Sequence, residues 1–281
     1  MTTSSTTAFN LDLNDLIEEA FERCGLELRT GYDFRTARRS LNLLTVEWAN
    51  RGINLWTVEQ GQIVMNTGQA TYALPNDTID LLDQTIRQNN GTQNQIDINI
   101  SRISEPTYMT IPNKLTQGRP IQVWINRQSG QTNTVASTTL DGAISSTDVT
   151  ITLTSTAGLA TSGFIKIDNE TIVYSNISGN QLLNCSRGQA NTTAASHLTG
   201  ASVYAQNLPS INVWPTPNAG GGYVFVYYRL RRMQDAGSGV TEQDIPFRFV
   251  PCMVAGLAYY ISMKKPEVAP ERIAMLKADY E

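Results

Sequence analysis

Residues 31–56 read GYDFRTARRSLNLLTVEWANRGINLW, and this stretch sets the fold class of everything around it. Phe34, Ala37, Leu41, Leu44 and Trp48 recur at spacings of three and four, which puts one continuous apolar stripe on a helix. Asp33 stands where an N-cap would sit, and Gly52 where a left-handed residue would end the helix. Arg35, Arg38 and Arg39 gather three guanidiniums on the polar side. That side is either a solvated basic face or a face that meets acid in this chain or in a neighbour.

Upstream, LDLNDLIEEAFERCG reads as a second helix, with Leu13, Leu16, Ile17, Ala20, Phe21 and Cys24 inward and Gly25 closing it. Asp15, Glu18, Glu19 and Glu22 form its polar side, near the positive end of the helix dipole. An acidic helix thus precedes a basic one. Exposed ion pairs between them would contribute only about 0–1 kcal/mol each and would set orientation more than stability.

The 281 residues suffice for one large domain or two modest ones. Lys+Arg is 21 against Asp+Glu 25, a formal charge of −4, which argues against a dedicated nucleic-acid binder. Charged residues are 16 %, below the roughly 25 % of average domains. Thr, Ser, Asn and Gln fill the difference, a composition that suits β-rich viral and extracellular structural proteins. No apolar run is long enough to cross a membrane. The opening MTTSSTTAFN lacks the parts of a signal peptide and reads as a flexible arm. Cys24, Cys185 and Cys252 are an odd number at no metal spacing, hence reduced and structural.

Between the helical ends the chain reads as strands. Residues 55–65 and 69–74 suggest a hairpin across Asn66-Thr67-Gly68, and Ile79 to Arg87 returns through Asn89-Asn90-Gly91 to Gln95–Ile103. Ser104 and Pro106 open a short helix, and Ile121 to Arg127 is the next strand. Residues 131–207 are rich in Thr, Ser, Asn and Gly, with five short strands, and read as an inserted small all-β module. IQVWINR and SINVWPTP flank it and would be neighbouring strands without it. Ser210–Trp214 and Tyr223–Leu230 suggest a further hairpin. Val254, Leu257, Tyr260 and Ile261 stripe another helix, with Ala255, Gly256 and Ala258 small enough for close packing. Pro270-Glu271 starts a last helix with Ile273, Leu276 and Tyr280 on one side and no stop signal. The fold class expected is α+β: a helical bundle of N- and C-terminal helices plus an antiparallel β-sandwich, with 1–130 and 208–281 as one core and 131–207 inserted.

Chemistry is sparse. There is no P-loop, Rossmann glycine pattern, HExxH or GxSxG. The single histidine, His197, reads as a surface residue in a polar loop. Asp168 and Glu170 would matter to it only if the fold brought them together, and Asp168-Asn169-Glu170 reads first as a turn. No catalytic residue, metal ligand or cofactor is expected. Tyr227, Tyr228, Arg229, Arg231 and Arg232 could contact nucleic acid, although a charged outer strand face explains them better.

Four words in order along the chain carry a resemblance: FRTARRSLNLLTVEWANRGINLW; Gly68-Gln69-Ala70-Thr71-Tyr72-Ala73-Leu74-Pro75; Trp124 with Val213-Trp214-Pro215-Thr216-Pro217; and Ile245-Pro246-Phe247-Arg248-Phe249 leading to Leu257-Ala258-Tyr259-Tyr260. Over roughly residues 10–130 and 208–281 the chain resembles the head-to-tail adaptor (upper tail-tube or gatekeeper-ring) proteins of short-tailed, T7-like bacteriophages. The insertion resembles a small β module that recurs in phage tail proteins, through Gly163 to Glu170, Tyr174, Gly179-Asn180, Cys185-Ser186-Arg187-Gly188 and His197. Typical T7-like adaptors lack that module.

The resemblance implies a structural virion protein without enzymatic activity. It would sit in the tail beneath the portal vertex, assembled in the host cytoplasm as a ring of usually twelve copies. Its partners would be its own copies, the portal protein, the tail nozzle and tail fibres, with double-stranded DNA passing through unbound and no membrane involved. The basic face (Arg35, Arg38, Arg39) and the acidic face (Asp15, Glu18, Glu19, Glu22) would form the assembly interface. Arg272, Leu276, Lys277 and Tyr280 are the portal-docking candidates on a terminal helix that could order on its partner. Arg229, Arg231 and Arg232 are the DNA-channel candidates. The alternative is a tail fibre or receptor-binding protein whose inserted module recognises host glycans.

Overall fold

A computed structural model of the chain describes residues 11–128 and 130–281. The N-terminal arm expected at residues 1–10 lies outside them. The protein is mixed α+β, with five α-helices and several mostly antiparallel sheets among the described residues. It divides into two compact units, Met1–Val58 with Arg232–Glu281, and Glu59–Arg231. Sequence alone grouped the terminal helices with the sheets flanking the insertion. The boundary between the two compact units falls at residues 58 and 231, where helix gives way to strand.

In the helical unit, α1 (Leu13–Arg23) is capped by Asp12, whose Oδ1 accepts from the Asp15 N–H at 2.9 Å. Helix α2 (Gly31–Asn50) starts one turn earlier than expected. Thr30 is its N-cap. The Asp33 N–H donates to Thr30 Oγ1 at 3.2 Å, and the Thr30 hydroxyl donates back to Asp33 Oδ2 at 2.8 Å. Asp33 is a buried third-position residue whose Oδ1 is 2.5 Å from Lys265 Nζ. The hydrogen bonds from Lys265 and Thr30 hold its carboxyl below the usual carboxylate range. Gly25 and Gly52 do close their helices, at φ +74° and +76°.

Both amphipathic helices bury their stripes against α4 (Val250–Ser262), which is buried nearly all round, and α5 (Pro270–Tyr280) packs on the same core. Leu16, Ile17, Phe21, Leu41, Leu44, Trp48, Leu257 and Ile261 are its centre. Burial of each is worth about 1.5–3 kcal/mol. Gly256 permits the closest approach: a Cβ there would lie 2.8 Å from the Tyr280 ring and 2.9 Å from Leu44 Cδ2. Gly256→Val should therefore lower stability by about 1–3 kcal/mol through overpacking. Thermal melts followed by far-ultraviolet circular dichroism would register this as a drop in Tm with an intact helical signal at low temperature.

In the second unit, two four-stranded sheets share one core. The first runs Val58–Val64, Tyr223–Arg231, Thr78–Gln88, Ile96–Asn99, and the second Thr71–Ala73, Ser210–Trp214, Gln122–Asn126, Ser101–Ile103. Tyr72, Ile86, Val123, Ile211, Val213, Phe225 and Tyr227 fill the space between them. Two expected hairpins are thereby corrected. Val58–Val64 pairs with Tyr223–Arg231 rather than Thr71–Ala73, and Ser210–Trp214 pairs with Gln122–Asn126 rather than Tyr223–Arg231. The turn residues between them carry the chain from one sheet to the other. The Thr78–Gln88 and Ile96–Asn99 strands do form the hairpin read from Asn89-Asn90-Gly91. Ser101–Ile103 pairs parallel to Gln122–Asn126, so the second sheet is not purely antiparallel. The short helix α3 (Glu105–Met109) opens on Ser104, as read.

IQVWINR and SINVWPTP are neighbours, in register from Ser210↔Asn126 to Trp214↔Gln122. The inserted stretch between them has its own apolar core, Leu140, Ile151, Ile165, Ile167, Ile172, Tyr174, Leu182 and Val203. Its main sheet centres on the Gly163–Ile167 and Glu170–Tyr174 hairpin, turned at Asp168 with φ +50°. Phe164 and Val173 of that hairpin pack with Ala73 and Leu208, seating the module on the second sheet.

Candidate functional site

The charged faces of α1 and α2 arise because both helices give their apolar stripes to the same core and have only their polar sides left for solvent. On α1, Asp15, Glu18 and Glu22 are exposed and Glu19 is half-buried. They line a groove of about 390 Å³ with Leu11, Arg23, Val250, Pro251 and Val254. Glu19 pairs with Arg23 on its own helix at 3.0 Å. On α2, Arg35, Arg38 and Arg39 are exposed beside Tyr32, Leu43 and Val46, each of the latter more than half exposed.

The ion pairs expected between the two faces do not form among the described residues. Arg35 Nε donates to the Gly31 carbonyl at 3.3 Å and Arg39 Nη2 to Thr36 Oγ1 at 3.4 Å. No carboxylate lies within ion-pair distance of Arg35, Arg38 or Arg39 among the described residues. The chain thus carries an acidic groove and a basic face with apolar residues in it, neither covered by the other among the described residues.

Helix α5 is already part of the core. Leu276 is buried, and Tyr280 stacks on Tyr259 with ring centroids 6.2 Å apart. The Tyr280 hydroxyl accepts from Trp48 Nε1 at 3.1 Å. Arg272 donates from Nε and Nη2 to the Arg23 carbonyl at 2.9 and 2.6 Å. Lys277 is exposed, 3.6 Å from Glu281. The helix is therefore folded on this chain's own core, with Arg272 and Lys277 on its outer side.

Of the three channel candidates, Arg229 is buried in the sheet. It meets Asp77 Oδ1 at 2.5 Å, Glu59 Oε2 at 2.8 Å and Thr78 Oγ1 at 3.0 Å. Burial alone would lower its pKa, and the two carboxylates raise it instead. Arg231 Nε meets Glu59 Oε1 at 2.5 Å. Both guanidiniums are committed to carboxylates in or beside the first sheet, and Arg232 is exposed just past the strand.

His197 departs most from its reading. It is 4 % exposed, and the fold brings it to both carboxylates of the Asp168-Asn169-Glu170 turn. Nδ1 lies 2.8 Å from Asp168 Oδ2 and Nε2 lies 2.8 Å from Glu170 Oε2. An ionised carboxylate only accepts, so whichever ring nitrogen carries a proton donates to the carboxylate it faces. Glu170, 1 % exposed, also receives Arg187 Nε at 2.8 Å and Nη2 at 2.7 Å, with the backbone N–H groups of Gly188 at 2.9 Å and Ala195 at 3.1 Å. Burial by itself would raise the Glu170 carboxyl; Arg187, His197 and the two N–H groups overcome this and hold it below its usual range.

Arg187 further donates to the carbonyls of Ser145 and Ala195, and the backbone of His197 pairs with Ile144. Four separate segments are thereby tied to one carboxylate. Gly188, at φ +60°, leaves room where a Cβ would lie 3.0 Å from Ala194 N. The glutamate, arginine, glycine and histidine words of the insertion belong to this one network, which five donors to Glu170 close completely. Burial pushes the nearby Cys185 thiol up to about 12 and the Cys24 thiol up to about 11, so both are inert. Cys252 is exposed.

Neither comparison with models of known protein families nor comparison with curated proteins returns a match for this chain.

Proposed function

We propose that this chain is the subunit of a ring that joins the portal to the tail of a short-tailed phage particle and extends the DNA channel. The observation that carries the reading is the pair of oppositely charged helix faces on one unit, which make no ion pair with each other among the described residues. A ring with a heterologous interface needs two different complementary surfaces on each subunit. The acidic groove over Asp15, Glu18 and Glu22 and the basic face of Arg35, Arg38 and Arg39 are such surfaces, and Leu43 and Val46 add apolar area to the second. In this reading the helical unit is the bundle and the two four-stranded sheets the sandwich of the adaptors that the sequence resembles. A net charge of −4, with Arg229 and Arg231 bound to carboxylates, suits a conduit through which DNA slides, because phosphate contacts are what retain it.

Light scattering with negative-stain images, on the protein alone and mixed with the portal of the same particle, tests the reading. A ring is expected in the mixture. Reversing Arg35, Arg38 and Arg39 to Glu should leave the melting temperature near that of the parent, since these side chains are exposed, and should abolish the ring. A monomer that ignores the portal, or a reversed variant that assembles as well as the parent, overturns it.

A further inference from the structure

A cavity of about 1060 Å³ lies between the outer face of the second sheet and the inserted module, at the upper end of the roughly 300–1,000 Å³ of small-molecule pockets. Strand alternation builds its floor. Val123, Ile125, Ile211 and Val213 face the core, which turns Trp124, Asn126, Ser210 and Asn212 outward. The module contributes the opposite wall, including Tyr174, Asn184 and Ser186.

Amide, hydroxyl and aromatic side chains share the lining with aliphatic ones such as Leu115, Val149 and Leu208. Lys114 is its one charged side chain among the described residues, and its ammonium is turned to the carbonyls of Ile111 at 3.1 Å and Met109 at 3.4 Å. Several polar groups have no acceptor or donor in the described chain. Asn212 is 8 % exposed; its Oδ1 accepts from Thr71 Oγ1 at 2.6 Å, which leaves both N–H donors of Nδ2 unmatched. Trp48, Trp56 and Trp214 each donate their indole N–H to a partner, at 3.1, 2.8 and 3.0 Å. The Trp124 indole N–H meets none. Tyr108, stacked on Trp124 at 5.3 Å with 26° between planes, is 7 % exposed and its hydroxyl likewise meets none.

These donors are open to the cavity and unmatched among the described residues, so the set favours a ligand rich in hydroxyl acceptors. Phosphates and acidic peptides would find only Lys114, whose ammonium is turned to two carbonyls, and metal ions would find no carboxylate among the described lining residues. Aromatic rings beside amides match the apolar C–H faces and hydroxyl edges of sugar rings. We propose that this cavity binds a neutral carbohydrate, with Trp124 and Asn212 as its main contacts. The inference stands apart from the ring reading, because it uses no residue of the helical unit.

The full chain would be probed on an array of neutral and acidic glycans. Neutral hits, together with maltohexaose, cellohexaose and chitohexaose, would then be titrated by tryptophan fluorescence. Saturable binding of a neutral oligosaccharide is expected, insensitive to salt, and weakened about tenfold in Trp124→Ala and in Asn212→Asp, about the effect of one hydrogen bond. Asn212→Asp preserves shape and keeps the test valid should Trp124→Ala fail to fold. Silence across the neutral glycans overturns the proposal and leaves a hydrated seam. Binding that prefers sulfated or phosphorylated glycans, or binding undiminished in both folded variants, overturns it as well.

Discussion

Glu170→Gln is expected to cost about 3–5 kcal/mol and to unfold the inserted module locally, the result of removing one partner from a buried charge network. The substitution keeps the volume and deletes the charge that Arg187 and His197 face. The buried Arg187 guanidinium then loses its carboxylate, His197 keeps only Asp168, and the carbonyls of Ser145 and Ala195 cannot neutralise the guanidinium. Amide exchange should locate the damage. The paired N–H groups of Ile144 and His197 should exchange far faster, while those of the Tyr223–Arg231 strand keep their protection. Replacing the pair together, as Glu170→Leu with Arg187→Met, should recover part of the loss, since a buried ion pair and well-packed apolar residues of similar volume can be close in free energy.

The same network gives the module an acid dependence of definite sign. Glu170 has a folded pKa held below its unfolded value, so its contribution is fully present above the ordinary carboxylate range, near about pH 4.3, and is lost as pH falls through the folded value. Urea melts at descending pH should show this loss in the parent and not in Glu170→Gln. A parent and variant with parallel acid profiles would remove Glu170 as the group responsible.

Trp48→Ala is the second large effect, about 3–5 kcal/mol, placed in the helical unit. Trp48 is 3 % exposed, meets Phe249 edge-on at 6.0 Å and donates to the Tyr280 hydroxyl. Its truncation leaves a cavity next to α4 and frees the end of α5. Exchange at Leu276 and its neighbours should rise first. Trp48→Phe should restore most of the packing and none of the hydrogen bond, so α5 would remain the weaker part of that variant. Equal loosening of the Phe225 region in the sheets would contradict the assignment of Trp48 to the helical core.

How much of this could be read beforehand varies with the range of the interaction. The α2 stripe and the closing glycines were legible because a helix is decided within a few residues. Asp33 was misplaced as the cap because Thr30 and Asp33 are both capping types one turn apart, and the buried partner that settles Asp33, Lys265, lies over two hundred residues away. The hairpins at Asn66-Thr67-Gly68 and Pro215 to Gly222 failed for a related reason. A turn signal marks where a strand ends and says nothing of the sheet the chain enters next. The charged faces were legible residue by residue, but their failure to meet depends on α1 and α2 both packing on α4. His197 looked like a loop residue because its chain neighbours are polar. Its partners, Asp168 and Glu170, are fixed by a hairpin that only the module's own core brings alongside. The cavity floor had a local signal, the alternation of Val123, Ile125 with Trp124, Asn126, whose meaning depended on which face the module covers.

Ser210 and Asn126 stand opposite each other on neighbouring strands, so the chain leaves and re-enters the second sheet at one rung of the ladder. A gene segment encoding residues 127–209 could therefore be exchanged or lost in frame, and a turn of a few residues would rejoin the strands without altering their register. Such a protein can change its accessory module by recombination between related genomes while the sheets beneath it keep their pairing, and variants of this chain should differ most abruptly at that rung.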